Sequence, residues 1–100
     1  MNVVLVNHSL NQYYKVEEGA FLDAVNHVFS TNSKYRLVNE PRVSLAKNNS
    51  NVDIFLDVKV SNKVDTESAI KNLIHEVEQQ VLYLIGVKPK NIQIYLLGQF

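Results

Sequence analysis

The chain has 100 residues, of which 46% are hydrophobic and 20% charged, and its 10 basic and 10 acidic side chains give a formal net charge of zero. This length predicts a single domain over residues 1–100 that buries a core without covalent staples, and the absence of cysteine excludes disulfides, thiolate nucleophiles and cysteine metal sites. The balanced charge argues against nucleic acid as a partner. No apolar run reaches the roughly 18 residues of a membrane span, and the start lacks signal-peptide features, so we expect a cytoplasmic protein.

The first elements predicted are a strand and a helix. "NVVLVN" at 2–7 is rich in β-formers and predicts a strand, after which "SLNQYY" is interpreted as a connection. From Val16 to Phe29 the apolar residues recur at helical spacing. The turn-forming residues "STNSK" at 30–34 are expected to end this first helix.

Two further strands are predicted in the middle of the chain. Pro41 disfavours helix, and the alternation that follows it predicts a strand at 42–47. "VDIFLDVKV" at 52–60 alternates almost cleanly and predicts a second strand. The polar "KNNSN" between the two runs is typical of a hairpin turn.

The second helix is the clearest element of the sequence. Asp65 or Thr66 can cap its start, and Gly86 stands where a left-handed residue commonly ends a helix. "NIQIYLL" at 91–97 predicts the last strand. The order β-α-β-β-α-β predicts an α+β, two-layer sandwich: a four-stranded, mainly antiparallel sheet with both helices on one face, in the split β-α-β arrangement of ferredoxin-like folds.

Phe55 breaks the alternation of its strand, because it falls among the polar residues of the face that the helices leave open. By the same alternation Tyr95 and Leu97 point to that face, and Val4 and Val6 join them if Val3 and Leu5 face the helices. An apolar set on an open sheet face is seldom left bare. We therefore predict an interface formed by Phe55, Tyr95, Leu97, Val4 and Val6, with a homo-oligomer as the first expectation. The alternative is cover from the chain itself, by "SLNQYY" or by residues 98–100.

Residues for catalysis, cofactors or metals are not grouped in the sequence. His8, His27 and His75 are far apart and lack ligand spacing. The serines lack a nucleophile elbow, and three glycines are too few for a phosphate cradle. We therefore expect no catalytic, metal or cofactor site, and a protein that is not an enzyme.

RNA binding is the principal alternative. In RNA-recognition domains of this topology, aromatic side chains on the open face stack on bases, and Phe55 has the corresponding place. However, Asp53 and Asp57 flank it on the same face, where they would repel phosphates. A small regulatory module that senses a ligand stays open as a further alternative.

Residues 52–98 resemble the alkaline shock protein family of Gram-positive bacteria (Gls-type envelope stress proteins). The shared features are the strand "VDIFLDVKV", a helix with Val77 and Val81 four residues apart, the Gly86–Val87 pair that ends it, and the strand "NIQIYLL". The resemblance implies a small, non-enzymatic, cytoplasmic protein of envelope homeostasis that self-associates. It also implies a membrane-anchored protein as a second class of partner, which would bring the chain to the membrane indirectly.

Overall fold

The computed structural model describes residues 2–100, and for His8 only the backbone. This part of the chain forms an α+β fold with two helices and two sheets. The elements in chain order are β1 Val3–Ser9, β2 Gln12–Glu17, α1 Glu18–Ser30, β3 Tyr35–Leu37, β4 Arg42–Leu45, β5 Val52–Val60, α2 Thr66–Ile85 and β6 Asn91–Gln99.

The larger sheet has four strands and is organised around β5. Strands β3 and β4 both pair antiparallel with β5, whereas β6 pairs parallel with it. Since β6 follows β5 along nearly its whole length, β3 and β4 share the other side as one interrupted edge, with Pro41 in the break. The smaller sheet is an antiparallel hairpin of β1 and β2.

The core lies between the helices and one face of β5. Burial alternates along β5, and its residues from Val52 to Val60 at even positions are all fully buried. They form one hydrophobic cluster with Phe21 and Val25 of α1 and with the α2 stripe that contains Leu73. The opposite face of β5, which carries the odd-numbered residues, therefore lies outside the hydrophobic core.

Sequence periodicity predicts α2 and β5 correctly. α2 begins after Asp65, whose carboxylate accepts a hydrogen bond of 3.0 Å from the Ser68 backbone N–H, and it ends at Gly86, whose φ of 77° is readily adopted only by glycine. The strands predicted at 42–47 and 91–97 are also present, as β4 and β6.

The ferredoxin-like arrangement is wrong. That arrangement places the first strand of the chain between β5 and β6, but β6 pairs directly with β5. The first strand instead pairs with β2, because "SLNQYY", predicted as a connection, turns at Asn11 with a φ of 64° and returns as a strand.

The start of α1 was also predicted too early. Val16 belongs to β2, opposite Val4, and the helix begins two residues later at Glu18. Strand β3 at 35–37 was not predicted, since three residues are too few to establish an alternation.

Candidate protein interface on the open sheet face

The open sheet face is defined here as the side of β5 that carries Asp53, Phe55, Asp57 and Lys59, with its neighbours on β4 and β6. Each of these four β5 side chains is partly exposed. Phe55 lies opposite Arg42 on one side and opposite Gln93 on the other. Long cross-strand neighbours can cover a large part of a ring in this position, so half-burial of Phe55 follows from its place on the central strand.

An ion pair occupies the middle of this face. The Arg42 guanidinium donates two hydrogen bonds to the Asp57 carboxylate, of 2.9 and 3.1 Å, and Asn39 Nδ2 donates a third of 3.0 Å. The bonds from Arg42, followed by that from Asn39, hold the pKa of Asp57 below its usual value. The hydrogen bond to Asp57 likewise raises the pKa of Arg42. The two charges therefore compensate each other over the whole neutral range.

The apolar part of the open face lies on β6. The side chains of Tyr95 and Leu97 are 49% and 50% exposed, and with Asn39, Arg42 and Asp57 they line a shallow depression of about 380 Å³. Leu97 is the extra residue of a β-bulge, because the register passes from Leu96 opposite Val58 directly to Gly98 opposite Lys59. Tyr95 and Leu97 thus lie where the sequence places them.

Val4 and Val6 do not belong to this face. Val4 is completely buried and Val6 packs against the core, whereas Leu5 between them is 42% exposed. The prediction assumed that β1 inserts into the main sheet with Val3 and Leu5 facing the helices. In the hairpin the strand has the opposite phase, with Val4 opposite Val16 on the inner side.

The segments considered as internal cover have other contacts. Phe100 lies at the far end of β5, where its N–H donates to the Val60 carbonyl at 3.1 Å and the Arg36 guanidinium stacks 3.6 Å from the centre of its ring. In the "SLNQYY" segment, the Tyr14 hydroxyl donates to the Leu84 carbonyl of α2 at 3.0 Å. Tyr14 is thus held against α2, whereas Phe100 lies with Arg36 at the Lys59 end of the sheet, four residues along β5 from Phe55.

Leu96 was not identified from the sequence, although 47% of its surface is exposed. Its alternation assigns it to the helix-facing side with Ile92 and Ile94, and it lies opposite the buried Val58. β6 is an edge strand, however, and only one of its sides is flanked by another strand. The sequence feature that could have identified it is the absence of any charged residue between Asn91 and Gln99.

A second polar cluster links β3 to α2. The Tyr35 hydroxyl donates to Glu76 at 3.0 Å and accepts from Asn32 and Asn72 at 3.1 and 3.2 Å. Burial raises the pKa of Tyr35, and the hydrogen bond to Glu76 adds to the effect. These bonds satisfy a buried phenol and join two elements of the core.

His27 and His75 line one groove between the helices, of about 350 Å³. Among the side chains of residues 2–7 and 9–100, no group of three or more His, Asp or Glu could hold a metal ion. In the same range, neither helix is long and apolar enough to cross a membrane.

Comparison with known proteins gave no match: no family model fits the chain, and neither a curated protein nor a solved structure is significantly similar to it.

Proposed function

We propose that the protein is a non-enzymatic structural module that self-associates through the apolar part of its open sheet face. The observation that carries this proposal is the half-exposure of Tyr95 and Leu97, next to one another on a face whose central ion pair is already compensated. Aromatic residues and arginine are enriched at the centre of protein interfaces, and the pairing of Arg42 with Asp57 leaves no uncompensated charge between these two side chains.

The same geometry favours protein over RNA. A base-stacking site needs an accessible ring and cations free to meet phosphates. Phe55 is only partly exposed, and both terminal nitrogens of Arg42 already bond Asp57. The carboxylate of Asp53 lies on the same face and would repel phosphates.

The biological setting of the proposal comes from the resemblance of residues 52–98 to alkaline shock proteins. It implies a cytoplasmic role in envelope stress, with a membrane-anchored protein as a further class of partner. α2 and β6 up to Gly98 lie within the resembling segment, so the resemblance includes Tyr95 and Leu97 of the proposed surface.

Light scattering across a concentration series tests this proposal. The wild type is expected to exceed the monomer mass of 11.4 kDa, and Tyr95→Lys is expected to return it to that mass by placing a charge in the contact. Tyr83→Lys is the matched control, because Tyr83 lies on α2 and is 86% exposed. A wild type that stays monomeric, or an assembly that Tyr95→Lys leaves unchanged, would contradict the proposal.

A further inference from the structure

Strand β6 has one side that no other strand covers. It pairs with β5 over its whole length, and within residues 2–100 it has no second strand partner. A bare strand edge presents unpaired N–H and C=O groups, and proteins usually protect it with charges, proline or a short length. β6 has nine residues and contains neither a charged residue nor proline.

The opposite edge of the same sheet is protected. There β3 and β4 have only three and four residues, and they are separated by a break that contains Pro41. Each also carries an arginine, Arg36 and Arg42 respectively. The molecule thus has one edge protected by short strands, proline and arginine, and one nine-residue edge whose only such device is the β-bulge at Leu97, near its end.

Backbone hydrogen bonds identify the residues of β5 that bond β6. The Val60 carbonyl accepts from the Phe100 N–H at 3.1 Å, and the Val52 carbonyl accepts at 3.0 Å from Lys90, which precedes β6 and lies outside its register. The carbonyls of Asn51 and Asp57 instead accept from Ala46 and Val38, on the side of β3 and β4, at 2.8 and 2.9 Å. Backbone groups alternate in direction along a strand. The even-numbered residues of β5 therefore direct their N–H and C=O groups to β6.

The parallel register then assigns the groups on β6 itself. Ile54 lies opposite Ile92, and in a parallel pair such a residue bonds the neighbours of its partner, here Asn91 and Gln93. By the same rule Leu56, which lies opposite Ile94, bonds Gln93 and Tyr95, so Tyr95 also directs its N–H and C=O groups to β5. The N–H and C=O groups that point to the free edge are consequently those of Ile92, Ile94 and Leu96.

We propose that this edge pairs antiparallel with β6 of a second copy, about a two-fold axis at Ile94. The inference rests on the proposed self-association and assigns the contact to the β6 edge that adjoins Tyr95 and Leu97, not to the open sheet face alone. Ile94 would lie opposite Ile94 of the second copy, and Ile92 opposite Leu96, so the outward backbone groups meet in hydrogen-bonded pairs. All the side chains of these pairs are aliphatic and only partly buried or exposed in one copy.

The same register is complementary on the open sheet face. There Gln93 lies opposite Tyr95 of the second copy, and Asn91 lies opposite Leu97. No position from 91 to 97 brings two like charges together, because this stretch has no charged residue. The strand is therefore compatible with itself on both faces, and the two four-stranded sheets join into one continuous sheet.

Leu96→Pro and Leu96→Ala separate backbone pairing from side-chain packing. Proline removes an N–H that points outward and leaves the bonds to β5 in place, which edge strands tolerate. Alanine also removes the leucine side chain but keeps the N–H. We expect Leu96→Pro to raise the dimer Kd about 100-fold or more, since each hydrogen bond is lost twice in a symmetric dimer, and Leu96→Ala to retain the dimer.

Cysteine cross-linking tests the register independently, and the chain supplies a background without cysteine. Residues opposite each other in a non-hydrogen-bonded pair have Cα atoms about 4.5 Å apart, which a disulfide can span, whereas diagonal neighbours are about 7–8 Å apart. Mixing Gln93→Cys with Tyr95→Cys chains should therefore give oxidised heterodimers, and each variant alone should cross-link poorly.

The outcomes separate this inference from the proposed function. A wild type that is monomeric at all concentrations overturns both. A dimer that survives Leu96→Pro overturns edge pairing and leaves self-association by another surface standing. Should Leu96→Pro fail to fold, as judged by circular dichroism, the cross-linking decides: heterodimers in the mixture alone support the register, and their absence overturns it.

Discussion

Removal of the Tyr35 hydroxyl is expected to destabilise the fold by about 2–3 kcal/mol. Tyr35 is 1% exposed, and its ring meets that of Phe29 edge-on with centroids 5.5 Å apart. Tyr35→Phe keeps this packing and removes only the oxygen. The loss of a hydrogen bond to a charged acceptor, here Glu76, costs about 1.5–3 kcal/mol. The amides of Asn32 and Asn72 lose an acceptor as well, but both are partly exposed and can turn to water.

Urea unfolding measures this difference directly, and thermal unfolding should show a fall in Tm of about 10–20 °C for a domain of this size. Tyr83→Phe is the control, since that side chain is 86% exposed and its change should stay within about 0.5 kcal/mol. A double-mutant cycle with Glu76→Gln should show coupling of about 1–2 kcal/mol. A Tyr35→Phe protein within about 0.5 kcal/mol of the wild type would refute the argument.

The pH dependence of the Tyr35 cluster has a definite sign. Because the folded state raises the pKa of Tyr35, through burial first and the Glu76 hydrogen bond second, folding favours the neutral phenol. The resulting stability is fully present below the unfolded tyrosine pKa of about 10 and is lost as the pH rises through the higher folded value. In an alkaline absorbance titration, Tyr35 should stay protonated above the ordinary tyrosine pKa, and the late ionisation should be absent from Tyr35→Phe.

Three other variants test the core, a helix cap and the ion pair. Leu73→Ala removes a completely buried side chain and should lower the unfolding free energy by about 2–5 kcal/mol in urea. Asp65→Ala should lower Tm at neutral pH, and this difference should shrink as the pH falls below the ordinary aspartate pKa of about 3.9. The reason is that the Ser68 N–H lowers the pKa of Asp65 in the folded state, so the stability it adds is lost as the pH falls through that lowered value. Arg42→Gln should raise the pKa of Asp57, as measured by NMR titration of its carboxyl carbon, because the guanidinium is the main cause of its depression.

The elements that the sequence predicted best are those with the longest regular patterns. α2 has 20 residues and β5 has nine, so their apolar repeats run long enough to separate the helical period from the alternating one. The cap at Asp65 and the left-handed Gly86 then define the helix ends. Fold class follows from such elements, and the α+β prediction was correct at that level.

Strand pairing depends on contacts between distant residues, and there the prediction was wrong. The composition of "NVVLVN" predicts a strand but not the strand with which it pairs. Its alternation is equally compatible with a position between β5 and β6 and with a hairpin to β2. The structure connects it to the turn between β4 and β5 by the Leu5 N–H, which donates to the Asn49 carbonyl at 2.9 Å. The phase of Val4 and Val6 depended on the pairing, so both were assigned to the wrong side of the strand.

The position of a strand in its sheet explains why Phe55 lies on the open sheet face but is not among the most exposed side chains of that face. A ring on the central strand β5 has neighbours on both sides, so Arg42 and Gln93 flank it and leave it half-buried. On the edge strand β6 a side chain has neighbours on one side only, and Tyr95, Leu96 and Leu97 are each about half exposed. Alternation predicts which face of the sheet a residue occupies, but it does not predict whether the strand lies at the centre or at the edge of the sheet. An apolar residue among polar ones on a predicted strand therefore indicates which face of the sheet to examine. The absence of charged residues along a neighbouring strand then indicates the part of that face, or the strand edge, at which a partner would be compatible.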